Sequence, residues 1–251
     1  MERLWKTAIN TGIVLGIMCF LIMMVYSLNK SVVITEQHDV EGEGNLKPLI
    51  ENIMEEKEGY DYVVLLNAAH GGDNKGNVVN ELQEKKITLK IAKELEIMAK
   101  ESEIGIFLIR EEDIDISNEN RAKLIEEVKP DFVIDLHVNA DATNERTQGT
   151  SVVYNECFYR PQLSNVKAAD LMERSLVTAI EGKALGIFGD SQNKYPLLHM
   201  IQVPAVSVEV GYLTNKQEAG LLRKDSYQKR IATGLLEGIR KIKEEMEENK
   251  K

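Results

Sequence analysis

From Asp61 to Met246, short apolar runs alternate with longer segments whose apolar residues recur every three or four positions. The short runs have the length and composition of buried strands, and the longer segments have the period of amphipathic helices. Strands that alternate with helices, and that are apolar on both sides, form a sheet that helices cover on both faces. The sequence therefore predicts a single α/β domain with a mostly parallel or mixed sheet.

The predicted elements follow one another with short connections. Five segments have the pattern of strands, namely 62–67, 104–109, 132–138, 150–154 and 205–210. Four longer segments have the pattern of helices, namely 81–100, 117–128, 166–180 and 227–246. Ser117 has the residue type of an N-cap, and Asn215 with Glu218 has capping-box spacing. In such sheets ligand sites lie where strands end, so we expect the functional residues there.

The segment between Thr7 and Asn29 contains no Asp, Glu, Lys or Arg. It supplies the roughly 20 apolar residues that a helix needs to cross a bilayer. It is too long for the core of a signal peptide, and no small-residue cleavage site follows, so we expect an uncleaved single-pass anchor. Arg3 and Lys6 precede it, and an acidic stretch follows, so the positive-inside bias predicts a cytoplasmic N-terminus and an extracytoplasmic domain in the cell envelope.

The predicted organisation has four parts: a membrane anchor at 1–29, an acidic linker at 30–59, a folded domain at 60–246 and a charged tail at 247–251. The linker contains one short helical candidate, Leu46 to Lys57. The formal net charge of −10 argues against nucleic acid as a partner, because nucleic acid selects basic patches.

Two cysteines constrain the chemistry of any metal site. Cys19 lies in the apolar N-terminal run, so Cys157 is alone in the remaining chain. A disulfide framework or a cysteine-ligated zinc site is therefore excluded there, and we expect Cys157 to be a buried apolar residue. Any metal must be held by histidine and carboxylate side chains.

Four ionisable residues lie at predicted strand ends or at a helix start: His70, Glu84, His137 and Glu209. Two imidazoles and one carboxylate form a common catalytic zinc site that leaves one position for water, and a further carboxylate can accept the proton of that water. Taken singly, His137 fits a hydrogen-bonded core residue, and Glu84 fits a solvated acid at a helix start. Glu209 is the most unusual, because an unpaired carboxylate in an apolar strand is costly.

These segments resemble the zinc amidases that cleave N-acetylmuramoyl-L-alanine bonds in peptidoglycan. That family has a strand followed by D-P-G-H-G-G, then E-K opening a helix, then S-x-H-x-N-A, then P-A-x-x-V-E-x-G-F-x-(S/T)-N. The matching segments here, in the same order, are His70-Gly71-Gly72, Glu84-Lys85, Leu136-His137-Val138-Asn139-Ala140 and the run from Pro204 to Asn215. Arg110 and Arg121-Ala122 also fit family elements, and the match extends over roughly 61–242.

The resemblance implies that His70, Glu84 and His137 bind Zn²⁺ and that Glu209 is the general base or acid. It implies peptidoglycan as the substrate, cut at the amide between N-acetylmuramic acid and L-alanine. Four further residues would support the ligands or contact the substrate: Asn67, Arg110, Asp135 and Asn139. The plan of anchor, linker and catalytic domain resembles spore-cortex amidases that help make muramic δ-lactam, although a wall-turnover role is an open alternative. No activating protein partner is indicated by the sequence.

The sequence departs from the family pattern in two segments. Asn67-Ala68-Ala69 replaces D-P-G, where Ala69 tolerates a positive φ poorly and the lost Asp removes a carboxylate that could orient a ligand. Asp135 replaces a small residue and shares a strand face with His137. It either compensates for Asn67 as an orienting carboxylate or is merely tolerated in a polar cleft.

Two alternatives in function follow. The change at 67–69 is compatible with a non-catalytic, membrane-tethered relative of these amidases, whose role would be to bind peptidoglycan or to act as a regulatory protein. A zinc peptidase acting on stem peptides would share the chemistry, but the H-E-x-x-H helix is absent.

Two other ionisable residues have weaker cases. Glu81 rivals Glu84 because residues three apart on a helix are neighbours, but the family register favours Glu84 and leaves Glu81 as a solvated acid in the first turn. His199 lies outside the matched positions, and we expect it at the surface or in the cleft.

Overall fold

The structure is a computed structural model that describes residues 46–100 and 102–250. The predicted anchor and most of the predicted linker therefore lie outside the described residues. Within the described ranges, no helix is both long enough and apolar enough to cross a membrane.

The helices and strands alternate along the chain as the sequence predicts. The helices are α1 (Lys47–Glu56), α2 (Glu84–Ala99), α3 (Asn118–Val128), α4 (Asn165–Ile180), α5 (Pro196–Met200), α6 (Lys216–Leu222) and α7 (Asp225–Glu248). The strands are β1 (Tyr62–Ala68), β2 (Val78–Val79), β3 (Leu82–Gln83), β4 (Ile104–Leu108), β5 (Phe132–Asn139), β6 (Thr150–Tyr154), β7 (Tyr159–Arg160), β8 (Leu163–Ser164), β9 (Ala184–Gly189) and β10 (Ala205–Tyr212).

Six of these strands form one mixed sheet in the order β4-β1-β5-β10-β6-β9. The first four are mutually parallel, β6 is antiparallel to β10, and β9 is parallel to β6. The predicted mixed sheet is confirmed. Strands β1, β5 and β10 are parallel neighbours in the middle of the sheet. Their carboxyl ends therefore lie side by side at the same end of the sheet.

Helices cover both faces of this sheet, also as predicted. One apolar cluster packs α2, α4 and α7 against residues such as Leu66, Ile134 and Val208. The other packs α1, α3 and α5 against residues such as Leu65 and Val133. Adjacent strand residues thus face opposite cores, which explains why the strands read as continuous apolar runs.

The N-terminal boundary of the domain lies earlier than the sequence suggests. Ile53 of α1 is 1% exposed and belongs to the second core cluster. Lys57 Nζ also donates a hydrogen bond to the carbonyl of Val128 at the end of α3. The segment from Lys47 to Gly59, which the sequence analysis assigns to the linker, therefore packs on the domain.

Helix α2 begins three residues later than predicted. Asn80 and Glu81 have φ values of 47° and 67°, and Leu82–Gln83 pairs with Val78–Val79 in a short hairpin. A left-handed backbone cannot continue a right-handed helix, so Glu81 lies in an exposed turn rather than in the first turn of α2. Strand β9 was not predicted, because it is a partly exposed edge strand that contains two glycines.

The predicted caps form, with one difference. The Ser117 side chain accepts from the backbone N–H of Asn120, and Asn215 accepts from the N–H groups of Gln217 and Glu218. The carboxylate of Glu218 instead accepts from the backbone of other segments, so the capping box is only half formed.

The expectation that Cys157 is buried is wrong. Cys157 is exposed, because it lies in the polar turn that follows β6.

The close approach of α4 and α7 gives a test of the packing. A Cβ added to Gly234 of α7 would lie 2.8 Å from the Leu176 Cα and 3.0 Å from the Ala179 Cβ. Overpacking costs ~1–3 kcal/mol, and the better helix propensity of alanine returns at most ~1 kcal/mol. We expect Gly234→Ala to lower the free energy of unfolding by about 1–2 kcal/mol in urea denaturation.

Gly220 of α6 is the matched control, because an added Cβ would meet no atom within 4 Å. Gly220→Ala should raise the free energy of unfolding, by up to about 1 kcal/mol. Equal effects of the two substitutions would contradict this packing of α4 on α7.

Candidate active site

The register of the central strands places the candidate site residues side by side, in two rows that run across the middle of the sheet. Asn67 of β1 pairs with Asp135 of β5, which pairs with Ser207 of β10. Two residues further along, His137 pairs with Glu209. Residues two apart on a strand share a face, so both rows point to the side of the sheet that α3 and α5 cover.

His70, Glu84 and His137 come together at the carboxyl edge of these strands. One ligand atom from each lies within 4.8 Å of the others. The Oε2 atom of Glu84 is 3.1 Å from His70 Nε2, and its Oε1 atom is 3.0 Å from His137 Nδ1. These three residues are the candidate zinc ligands that the resemblance implies, and the structure brings all of them into one cluster.

The loop after β1 carries His70 into the cluster. His70 has a φ of 64°, and the glycines that follow also have positive φ, whereas Ala69 does not. The loss of glycine at position 69 is therefore compatible with this turn. Asn74 Oδ1 accepts from the backbone of Gly76 and lies 2.9 Å from His70 Nδ1. An oxygen acceptor there favours the proton on Nδ1, which leaves Nε2 free to bind a ligand.

Gly76 closes the loop over the same cluster. Its φ is 63°, and an added Cβ would lie 2.6 Å from Glu84 Oε2 and 2.7 Å from His70 Nε2. Glycine is thus required both by the backbone conformation and by the close approach.

Glu84, the first residue of α2, is almost fully buried and held by the backbone. Its carboxylate accepts hydrogen bonds from the Asn77 N–H at 2.9 Å, the Asn77 side-chain amide at 3.0 Å and the Val138 N–H at 3.0 Å. Burial acts to raise the pKa of Glu84, but the hydrogen bonds and charges of His137 and His70 hold that pKa well below its ordinary value. Glu84 is therefore an ionised carboxylate, not the solvated helix-terminal acid of the alternative interpretation.

Asp135 binds the far side of the His137 ring. Its carboxylate is 3.0 Å from His137 Nε2 and accepts from Ser207 Oγ at 2.7 Å and from the Asn67 side-chain amide at 2.7 Å. Asn67 in turn accepts from the guanidinium of Arg121. Asp135 is 3% exposed, so it is an integral part of a buried network rather than a loose acid in the cleft.

This network fixes the electrostatics of His137. Burial acts to lower the pKa of His137, but the charge and hydrogen bond of Asp135, with the bond to Glu84, raise it well above its ordinary value. Burial also opposes ionisation of Asp135, yet His137, Ser207 and Asn67 lower the pKa of that carboxyl. Because Nε2 is engaged by Asp135, Nδ1 is the nitrogen that faces Glu84.

Glu209 lies beside this cluster with one of its two oxygens unpaired. The side chain is 4% exposed, and Oε1 accepts a 2.6 Å hydrogen bond from the Tyr195 hydroxyl. Oε2 is buried and has no hydrogen-bond partner among the described residues. Burial raises the pKa of the Glu209 carboxyl, which brings it nearer to the range of a group that exchanges protons.

The three-residue cluster and Asp135 line a cleft large enough for a substrate. A cavity of about 530 Å³ is bounded by His70, Glu84, His137, Tyr195 and Leu197, among others. A second cavity of about 350 Å³ shares the lining residues Lys194 and Tyr195 with the first. Asn139 lines this second cavity and donates to the Tyr212 hydroxyl at 3.3 Å, so it lies along the cleft and away from the three-residue cluster.

Arg110 does not reach the cleft. Its side chain is fully buried and donates to four backbone carbonyls, those of Ala68, Ala69, Lys85 and Glu112. It supports the His70 loop and the start of α2, which is the supporting role among the two that the resemblance allows for Arg110. His199 is half-buried at the end of α5, where it contacts Asp190 at 3.1 Å.

Several residues of the site were not identified from the sequence. They are Asn74, Asn77, Tyr195 and Ser207, which contact the cluster or its neighbours through hydrogen bonds. For Ser207 a signal existed, since it is a polar residue two positions before Glu209 in an apolar strand. The other three lie in loops or at a helix start, where polar residues are ordinary.

Comparison with known proteins identifies the family to which the chain is similar. Residues 64–241 match the family model described as N-acetylmuramoyl-L-alanine amidase. The chain is 28% identical over 194 residues to a germination-specific N-acetylmuramoyl-L-alanine amidase of Bacillus subtilis, covering 70% of this chain and 78% of that protein. It is 28% identical over 181 residues to an endolysin of Bacillus phage SPP1, covering 72% of this chain and 65% of that one.

A solved structure gives the same answer for the fold. The crystal structure of an N-acetylmuramoyl-L-alanine amidase from Clostridium difficile 630 superposes with a TM-score of 0.67 at 25% identity, covering 73% of this chain and 97% of that one. Since the family model extends over well more than half of the sequence, the chain belongs to the N-acetylmuramoyl-L-alanine amidase family.

Proposed function

We propose that this protein hydrolyses the amide between N-acetylmuramic acid and L-alanine in peptidoglycan, with Zn²⁺ as its cofactor. The observation that carries the proposal is the joint position of three ligand side chains and one partly unpaired buried carboxylate, Glu209, on the same edge of the sheet. Membership of the amidase family supplies the bond that such a site would cut.

The donor set fits zinc. Two imidazole nitrogens and one carboxylate oxygen are the ligands of many catalytic zinc sites, in which a fourth position is left open. In this chain His70 Nε2, Glu84 and His137 Nδ1 would hold the ion, because the other nitrogen of each ring is engaged by Asn74 or Asp135. When bound, zinc would polarise the scissile carbonyl and lower the pKa of a water molecule.

Glu209 would move the protons of the reaction. As a carboxylate it takes a proton from the attacking water, and as a carboxylic acid it gives that proton to the leaving nitrogen of L-alanine. The hydroxyl of the water joins the lactyl carbonyl carbon, and the remaining hydrogen joins the nitrogen of L-alanine. The products are the lactyl carboxylate and the free amine. Burial raises the pKa of Glu209, which makes the carboxylate a better acceptor of the proton from water.

Asp135 would orient His137 as a ligand. A carboxylate on the outer nitrogen of a ligating histidine fixes the ring and raises its basicity. Asn67, at the family position of the aspartate, donates to Asp135 from the adjacent strand. The family pattern has a carboxylate at position 67 on β1, whereas this chain has it at Asp135 on the adjacent strand β5. This position supports the hypothesis that Asp135 compensates for the loss of the aspartate at position 67.

The activity is tested with Glu209→Gln, which keeps the shape of the side chain but cannot accept the proton. Both proteins are incubated with zinc and purified peptidoglycan, and stem peptides with a free L-alanine N-terminus are measured by mass spectrometry. We expect release to fall by about 100-fold or more, with zinc content unchanged because Glu209 is not a ligand.

Glu81→Gln, which changes an exposed carboxylate outside the cluster, should leave release at the parental rate. Parental release by Glu209→Gln would refute its role. No release and no zinc binding by the parent would favour the non-catalytic relative.

The role of Asp135 is tested by zinc affinity. Asp135→Ser removes the contact with His137 Nε2, and we expect zinc affinity, measured by competition with a chelator, to fall by about 10–100-fold. Asp61→Asn, at an exposed position outside the site, is the control. Parental affinity in Asp135→Ser would leave Asp135 as a tolerated polar residue.

Zinc binding should also depend on pH. The raised pKa of His137 means that the metal-free ring keeps its second proton to a higher pH than an ordinary histidine does, and zinc must displace that proton. Affinity should therefore rise as pH increases towards that pKa and weaken as pH falls. Calorimetry in two buffers of different ionisation enthalpy should detect release of about one proton per zinc at pH 7, and no release would contradict this protonation state.

We further propose that the chain is anchored in the cell membrane by residues 1–29, with the catalytic domain on the outer side. The apolar run and the flanking charges support this topology. Reporter fusions after residue 45 test it: a reporter active only outside the membrane should be active there, and activity of a cytoplasmic reporter instead would contradict it.

A role in maturation of the spore cortex is the finer proposal. Similarity to a germination-specific amidase supports it. We expect the protein in sporulating cells, and its appearance in vegetative cells alone would favour a role in wall turnover.

A further inference from the structure

We propose that Tyr195 is a positioning residue that determines which oxygen of Glu209 exchanges protons during hydrolysis. The inference rests on the proposed function for the role of Glu209, but it concerns a residue outside the matched motifs. Tyr195 immediately precedes α5, in the segment between β9 and the Pro204–Asn215 motif.

The two oxygens of Glu209 differ because of this tyrosine. Tyr195 donates its hydroxyl proton to Oε1 at 2.6 Å, whereas Oε2 has no partner among the described residues. A short hydrogen bond to a carboxylate is strong, so Oε1 is occupied and the carboxylate is held in one rotation. The geometry leaves Oε2 as the oxygen that accepts the proton of water and returns it to the leaving amine.

The segment that carries Tyr195 is itself fixed by a buried carboxylate. Asp190, just after β9, is 4% exposed and accepts from the backbone N–H groups of Lys194 and Tyr195, each at 2.8 Å. Its own N–H donates to the carbonyl of Tyr154 on β6. The His199 ring lies 3.1 Å from the same carboxylate. Tyr195 is therefore anchored to the sheet through its backbone.

The Tyr195 ring is held on its other side by the proposed metal site. It packs edge-on against His137, with ring centroids 5.4 Å apart, and is 7% exposed. This contact leaves the hydroxyl little freedom to move away from Glu209. Tyr195 thus connects the orientation of a proposed zinc ligand with that of the proposed proton carrier.

Tyr195 keeps its own proton throughout. Burial and the neighbouring charge of Glu209 raise the pKa of the phenol, so the hydroxyl remains a neutral donor. The proton that leaves water therefore forms a new O–H bond at Glu209 Oε2, and that bond breaks when the proton passes to the amine nitrogen. Tyr195 gains and loses nothing in the cycle.

The first test is Tyr195→Phe, which keeps the ring against His137 and removes only the hydroxyl. Peptidoglycan hydrolysis by the full chain should show kcat lowered by about 10–100-fold, the range expected for a hydrogen bond to a charged group. KM and zinc affinity should stay within about twofold, since neither depends on that hydroxyl. The matched control is Tyr62→Phe, which removes a buried hydroxyl that contacts Met246 far from the site and should leave kcat at the parental value.

The second test does not depend on activity. In crystal structures of the zinc-loaded parent and of Tyr195→Phe, the Glu209 carboxylate should occupy one orientation in the parent and a rotated or divided one in the variant. An unmoved carboxylate in Tyr195→Phe would overturn the inference, as would parental kcat in an active protein. A parent that releases no stem peptide would instead refute the proposed function, while the pair of structures would still decide the role of Tyr195.

Discussion

The parallel pairing of β1, β5 and β10 is the constraint on which the rest of the site depends. It places Asn67 beside Asp135, Asp135 beside Ser207, and His137 beside Glu209, all on one face. A shift of one residue between any two strands would send these side chains to the opposite core. The two apolar clusters on either face of the sheet oppose such a shift, so the core that stabilises the fold also sets the geometry of the site.

The main free-energy cost of this arrangement is the burial of charged side chains. Contacts with neighbouring side chains and backbone N–H groups offset nearly all of that cost. Glu84 and Asp135 are ionised in the interior, and each contacts His137 and several hydrogen-bond donors. A buried ion that lost one of these partners would be strongly destabilising. Glu209 is the exception, since Oε2 is buried without a partner. Residues at functional sites often lack the interactions that would stabilise the fold. In this protein Glu209 is such a residue, because one of its buried oxygens has no hydrogen-bond partner among the described residues.

The central strands and most of the candidate site residues could be predicted from the sequence, because these strands are apolar on both faces and the motifs lie at their ends. The prediction failed where local pattern carries no information. Edge strand β9 is partly exposed and contains two glycines. The turn at Asn80 and Glu81 depends on left-handed backbone, and the exposure of Cys157 follows from its position in a turn. Tyr195 was missed because its contact with Glu209 depends on how a loop folds back over the sheet, which no spacing along the chain encodes.

The proposed function requires that His70, Glu84 and His137 bind a zinc ion beside Glu209. The most direct measurement is X-ray diffraction from crystals grown with zinc, collected on both sides of the zinc absorption edge. We expect one anomalous peak with His70 Nε2, His137 Nδ1 and a Glu84 oxygen each at about 2.0–2.2 Å. No peak in the cluster, or a peak held by other side chains, would contradict it.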